Sequence, residues 1–165
     1  MKIGYSTNGI SCEFFMQDKM KDWLINKDCE FIDEFYVPEI KRRPDFLIIK
    51  SGQLINIEAK CNNHEEMMRQ LTDNAKYCDY SFAYIPDCCL TSLDFKRLLL
   101  SSKFGLFVFN YKQEIITEVL ESHHNKEHNK ELKKIVIERV RIELKRRKRD
   151  GLIDTQLTFK TEKQW

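Results

Sequence analysis

Two apolar runs, PDFLIIK (44–50) and QLINIEA (53–59), are separated only by Ser51-Gly52. Short runs rich in Ile and Leu around a two-residue turn ending in Gly specify a β-hairpin. The turn also fixes the register. With Lys50 facing Gln53, counting back through the strands sets Asp45 directly across from Glu58. Opposed residues in such a pair hold their Cβ atoms about 4.5–5.5 Å apart. Alternation along the strand puts Lys60 on the same face as Glu58. Phe46, Leu47, Ile48, Ile49, Ile55 and Ile57 make the hairpin apolar on both faces, which predicts a central hairpin in a covered sheet.

Two carboxylates that close repel each other unless they share a proton or bind a cation. A hard divalent ion with oxygen ligands, Mg²⁺ above all, suits the pair. The neighbouring Lys60 could hold or deprotonate a water, or offset charge building on a phosphate. Asp45, Glu58 and Lys60 together therefore suit metal-assisted hydrolysis of a phosphodiester. The plainer alternative is a pair of surface acids on an edge hairpin, neutralised by Lys60.

The surroundings support a mixed α/β chain. Residues 10–27 have Met16, Met20, Trp23 and Leu24 at helical spacing, and EFIDEFYV (30–37) reads as a strand stopped by Pro38. After the hairpin come a helix (64–77) with Met67, Leu71 and Ala75 on one face, and a strand (80–86) ending at Pro. Then follow a helix (92–103), strands at 105–110 and 114–120, a polar connector (123–130) and a long amphipathic helix (130–149). An antiparallel meander, a crossover helix and a further strand make a mixed sheet with helices on its faces.

PD at 44–45 and EAK at 58–60, in this order of elements, resemble the PD-(D/E)XK nuclease superfamily. The resemblance implies a restriction-endonuclease-like αβββαβ core over residues 1–122, with extra strands. The connector, basic helix and tail (123–165) would belong to the same domain or be appended to it. It also implies Mg²⁺ or Mn²⁺ held by Asp45, Glu58 and the Ala59 carbonyl, with Lys60 as the catalytic amine. Within the superfamily, RRPDFLII, LINIEAK, NAKYCDYSFAYIP, FGLFVFN and the basic C-terminal helix are similar to the MmcB-type DNA repair proteins. Many superfamily members place a first-helix Glu near the metal, which makes Glu13 a candidate ligand. The alternative for Glu13 is an acid in a first helical turn, facing the helix dipole. Some resolvase-like nucleases place a Gln on the helix after the hairpin. Gln70 fits that place, or bonds to backbone as a boundary residue.

The net charge of +2 hides an asymmetry. Residues 126–149 hold eleven Lys/Arg against four Asp/Glu, while the remainder holds 17 against 22. On the last helix, Leu132, Ile135, Val136, Val140 and Leu144 form an apolar side to dock on the body or on a second copy. Lys130, Lys134, Arg141, Lys145 and Lys148 form a basic side that could follow a phosphate backbone. Arg42 and Arg43, just before the acids, are candidates for contacting a phosphate, or else form an exposed loop end. His123, His124 and His128 read as members of a solvated loop.

The six cysteines show no C-x-x-C pair and read as reduced thiols. No apolar run approaches the roughly 20 residues of a membrane span, and no signal segment stands at the N-terminus, so a cytoplasmic location is expected. The expected function is metal-dependent DNA cleavage in repair, recombination or a mobile element. The alternative is a nuclease-fold module that grips DNA or protein with little or no catalysis. A homodimer would suit cleavage of both strands at a symmetric site.

Overall fold

The structure, a computed structural model, describes residues 9–89 and 93–152. Residues 1–8 and the tail 153–165 lie outside the described residues. The elements are α1 (Gly9–Asn26), β1 (Glu30–Asp33), β2 (Phe46–Lys50), β3 (Gln53–Ala59), α2 (His64–Ala75), β4 (Tyr80–Pro86), α3 (Leu93–Ser101), β5 (Gly105–Asn110), β6 (Ile115–Leu120) and α4 (Lys130–Arg149). The six strands form one mixed sheet in the order β1-β2-β3-β4-β5-β6. β1, β2 and β3 pair antiparallel, β3, β4 and β5 pair parallel, and β6 returns antiparallel to β5.

The hairpin turn has the backbone that its composition calls for. Ser51 and Gly52 both adopt positive φ, 51° and 75°, the mirror-image turn whose twist matches the flanking strands. The pairs run from Lys50↔Gln53 to Phe46↔Ile57. β1 is shorter than the 30–37 expected. Its ladder ends at Asp33↔Phe46, and Glu34 turns off at φ 49° with its N–H on the Asp45 carbonyl. Pro44, which has no N–H to give, blocks extension of the ladder on β2. Asp45 consequently sits one residue beyond β2, free of the sheet's regular pleat.

Alternation along the strands divides the core. On one face Met16, Met20 and Leu24 of α1 cover Phe46, Ile48, Ile57, Ala59, Tyr84, Phe107 and Phe109. On the other face Met67 and Leu71 of α2, with Phe95 and Leu99 of α3, cover Ala83, Ile85, Leu106 and Val108. Beside them Val136 and Val140 of α4 cover Ile32, Val37, Leu47, Ile49 and Leu54. Asn63 caps α2 by accepting from Glu66 N–H, and Asn129 caps α4 by accepting from Leu132 N–H.

Three sequence expectations are corrected here. Ile135 is 40% exposed, and Ile137 packs inward in its place. The rotation of α4 follows from Lys133, whose amine lies 2.7 Å from the buried Asp79 and draws its side of the helix under. Of the histidine segment, His123 and His124 are exposed as a solvated loop would have them, and His128 is not. His128 is buried, and His124 Nε2 and His128 Nε2 lie 3.2 and 3.5 Å from Asp79 Oδ1. Burial opposes ionisation of Asp79, but Lys133 and the Leu54 N–H outweigh it and hold the carboxyl below its usual range. Cys12 and Cys61 are joined in a disulfide, with Cα atoms 6.4 Å apart. Their separation of 49 positions gives no local signal of it.

Gly105 opens β5 where a Cβ would collide with the Phe82 ring and come within 2.8 Å of the Ser122 backbone nitrogen. The Phe82 ring is itself packed on Phe107, with centroids 4.6 Å apart, so it has little room to swing. Gly105→Ala is expected to destabilise the fold by about 1–3 kcal/mol, the usual range for overpacking. A urea unfolding midpoint equal to wild type would contradict this packing.

Candidate active site

The open end of the hairpin gathers the acids. Glu58 projects from β3 to the α2 face of the sheet and is 1% exposed. Beyond the end of β2, the Asp45 carboxylate takes the place of a strand. Its Oδ2 accepts from the Ala59 N–H at 2.7 Å. The two carboxyl groups stand close enough for each to shift the other's ionisation. In a strand, a residue's N–H and C=O leave by the same edge. The Ala59 carbonyl therefore faces the gap that Asp45 occupies.

Burial dominates the electrostatics. It pushes Asp45 up to about 6, against the lowering effect of the Ala59 N–H and the Lys60 amine. Burial, then the neighbouring Asp45 charge, pushes Glu58 well above the usual carboxylate range. Glu58 Oε1 accepts from Asn74 Nδ2 at 2.8 Å and from Asn56 Nδ2 at 3.0 Å. Glu58 Oε2 is buried and has no hydrogen-bond partner among the described residues.

α1 supplies the opposite wall. Gln17 Nε2 donates to Asp45 Oδ1 at 3.1 Å. One helical turn earlier, Glu13 Oε1 accepts from Cys61 N–H at 3.2 Å, and its Oε2 lies 3.8 Å from the Lys60 amine. Lys60, just past β3, thus reaches toward α1 over the end of the sheet. The disulfide between Cys12 and Cys61 fastens the same junction.

Other candidates are placed as follows. Gln70, on α2, has a buried Oε1 with no partner among the described residues. Arg42 is clamped to α2, with Nε 2.7 Å from Asp73 and Nη1 3.4 Å from Glu66. Arg43 is exposed next to the acids. Lys134 pairs with Glu131 at 3.5 Å and Arg141 with Glu30 at 3.2 Å. Lys130, Lys145 and Lys148 are exposed and form no ion pair among the described residues. Arg147 pairs with Asp33, which stands opposite Phe46, so the last turns of α4 arrive at the same end of the sheet as Asp45.

Sequence reasoning passed over Gln17, Asn56, Asn74 and Tyr77. Asn56 had a signal, a polar residue inside an apolar strand and two positions before Glu58. Asn74 had one as well, since it continues the stripe of Met67 and Leu71 at helical spacing. It is Asn74 that is buried there, with Ala75 only partly covered.

Among the described residues no group of three or more His, Cys, Asp and Glu side chains is placed to hold a metal ion. The donors at the hairpin end are of another kind, two carboxylates and a backbone carbonyl. All are hard oxygen atoms, and the partnerless Glu58 Oε2 lies among them. That donor chemistry fits a Mg²⁺-type ion, which takes one or two carboxylates and completes its shell with water and phosphate.

Comparison with known proteins gives a match to the nuclease-like domain of competence protein CoiA over residues 17–114. No curated protein matches. An XisH family protein from Nostoc punctiforme superposes with a TM-score of 0.51 at 12% identity, covering 64% of this chain and 98% of its own. An fdxN element excision controlling factor protein from Anabaena variabilis gives 0.49 at 15% identity, covering 63% of this chain and 96% of its own. No helix among the described residues is long and apolar enough to cross a membrane.

The raised carboxyls have a consequence for stability. A group whose folded value exceeds its unfolded one contributes stability that is present below the unfolded value and lost as pH rises through the folded one. Metal-free protein is therefore expected to lose thermal stability as pH rises through about 6, where Asp45 ionises. Added Mg²⁺ should oppose the loss, and Asp45→Asn should flatten it. The check is a series of melts between pH about 5 and about 8; a flat or rising midpoint in the metal-free wild type would refute the assignment.

Proposed function

Because the chain belongs to the family of the CoiA nuclease-like domain, we propose that it is a divalent-metal-dependent DNA endonuclease. The observation that carries this reading is the meeting of Asp45 and the buried Glu58 at the hairpin end, Asp45 on the Ala59 N–H next to Glu58 in the chain, beside a lysine, with one Glu58 oxygen left without a partner among the described residues. Asp45, Glu58 and the Ala59 carbonyl would hold Mg²⁺ or Mn²⁺, with Glu13 near enough to join through water. When bound, such an ion supplies Lewis-acid stabilisation of charge on the phosphate.

The chain's own groups do the rest. Lys60, held by Glu13, orients the attacking water and offsets negative charge as the phosphodiester is displaced in line. Gln17 and the Ala59 N–H keep the Asp45 oxygens directed at the site. Gln70 offers its unpartnered oxygen from the α2 side. Arg43 is exposed beside the acids and reaches for a flanking phosphate, while Arg42 positions α2 through its ion pairs. Lys145 and Lys148, at the site end of α4, extend the track for the DNA backbone, with Lys130 farther along the helix.

The finer likeness to the MmcB-type DNA repair proteins rests on the hairpin triad, the Tyr-Cys-Asp segment (77–79) and the basic last helix. It supports a role in repair or recombination. Cutting both strands at one place would call for two copies.

The test uses plasmid, branched and single-stranded DNA with Mg²⁺ or Mn²⁺. Lys60→Ala and Asp45→Ala should each lower the cleavage rate by about 100-fold or more. Wild type that binds DNA and cuts none of the substrates would sink the nuclease reading in favour of a DNA-binding module. In binding titrations, Lys145→Ala combined with Lys148→Ala should weaken affinity for all sequences alike and lower the salt slope by about 2. An unchanged slope would remove α4 from the interface.

A further inference from the structure

Glu58 is held by one oxygen only. Asn74 Nδ2 at 2.8 Å and Asn56 Nδ2 at 3.0 Å both donate to Oε1. A carboxylate oxygen offers about two acceptor sites, so this oxygen is filled. Asn74 cannot turn its amide over without loss, because Tyr77 donates its hydroxyl to Asn74 Oδ1 at 2.8 Å. Tyr77 is fully buried, so no water competes for that hydroxyl. Asn56 is anchored in β3 and also directs Nδ2 at the Phe46 carbonyl, 3.4 Å away. The other Glu58 oxygen, Oε2, receives no hydrogen bond among the described residues.

The number of oxygens a carboxylate offers separates cations. Mg²⁺ demands near-octahedral geometry around single oxygens, whereas Ca²⁺ takes six to eight ligands and readily accepts both oxygens of one carboxylate. We propose that Asn74, fixed by Tyr77 and assisted by Asn56, is a positioning residue that makes Glu58 offer a single oxygen, and so favours ions of the Mg²⁺ and Mn²⁺ type over Ca²⁺. The inference rests on the metal site of the nuclease reading and adds to it a reason for metal choice. Truncating Asn74 leaves Oε1 to Asn56 alone and loosens the carboxylate, which harms the small octahedral ion more than Ca²⁺.

The experiment is calorimetric titration of the full chain with Mn²⁺ and separately with Ca²⁺, with no DNA present. In Asn74→Ala, Mn²⁺ affinity should fall about tenfold or more, the usual effect of losing a group that orients a ligand. Ca²⁺ affinity should fall less, so the Mn²⁺/Ca²⁺ preference narrows. A folded Asn74→Ala protein with the wild-type preference would overturn the proposal, because general loosening of the site weakens both ions together. Should Asn74→Ala fail to fold, Tyr77→Phe carries the test. It keeps the ring, and it should narrow the preference by a smaller factor; no change would overturn the clamp. Wild type that binds Mn²⁺ yet leaves every DNA intact refutes the nuclease reading, while the metal preference still judges the clamp. Wild type that binds neither ion overturns both.

Discussion

Glu58 is a carboxyl group buried away from the protein surface, and much of the structure around it answers that condition. It stands on β3, which is flanked by β2 and β4, under α2, at 1% exposure. An isolated charge in such a place carries a penalty of several kcal/mol even after relaxation. The compensation is uneven. Two amides satisfy one oxygen, and the second is left facing another acid. A purely structural carboxylate would be satisfied at both oxygens or replaced by an apolar residue. Half-satisfied polar networks are the costly kind, and they persist where a function uses what is missing.

The hairpin half of this arrangement was legible in the sequence because it depends on local rules. A period of two and a two-residue turn are enough to oppose Asp45 and Glu58, and the strands pair in that register. Other parts depend on tertiary partners. The apolar stripe of Met67 and Leu71 points in the sequence to Ala75, and in the fold the adjacent Asn74 takes that place. Gln17 sits on the first helix with no local mark of what it touches, whereas Glu13, one turn earlier, is already marked as a candidate in the sequence. Strand alternation puts Lys60 on the Glu58 face, and the end of β3 lets its amine swing to Glu13 instead. The Cys12–Cys61 bond joins segments that only the fold brings together.

The basic C-terminal segment shows a related limit of counting charges. Its asymmetry against an acidic body is partly internal to the fold. Lys133 is spent on Asp79, Arg139 on Glu39, Arg141 on Glu30 and Arg147 on Asp33. The exposed pairs among these contribute little each. Lys133–Asp79 differs, since the acid is only 2% exposed and also accepts the Leu54 N–H. It fixes the rotation of α4, and that rotation leaves Lys145 and Lys148 outward near the site end of the sheet. The same charge thus docks the helix at one end and stays available to a polyanion at the other.

The site itself lies at the seam between two layers. From the α2 side, Asn74 sets the direction of Glu58. From the α1 side, Gln17 holds Asp45 and Glu13 holds Lys60. Gln17 and Glu13 are one turn apart, so they move together if the helix moves. Met16, Met20 and Leu24 seat that helix on the sheet, and Glu13 and the disulfide bind it to Cys61, next to the lysine. The spacing between the amine and the acids is therefore set by how one rigid helix packs, while the acids are opposed to each other by a hairpin turn. Two independent constraints meet at one point, and an error in either would separate the lysine from the carboxylates it has to serve.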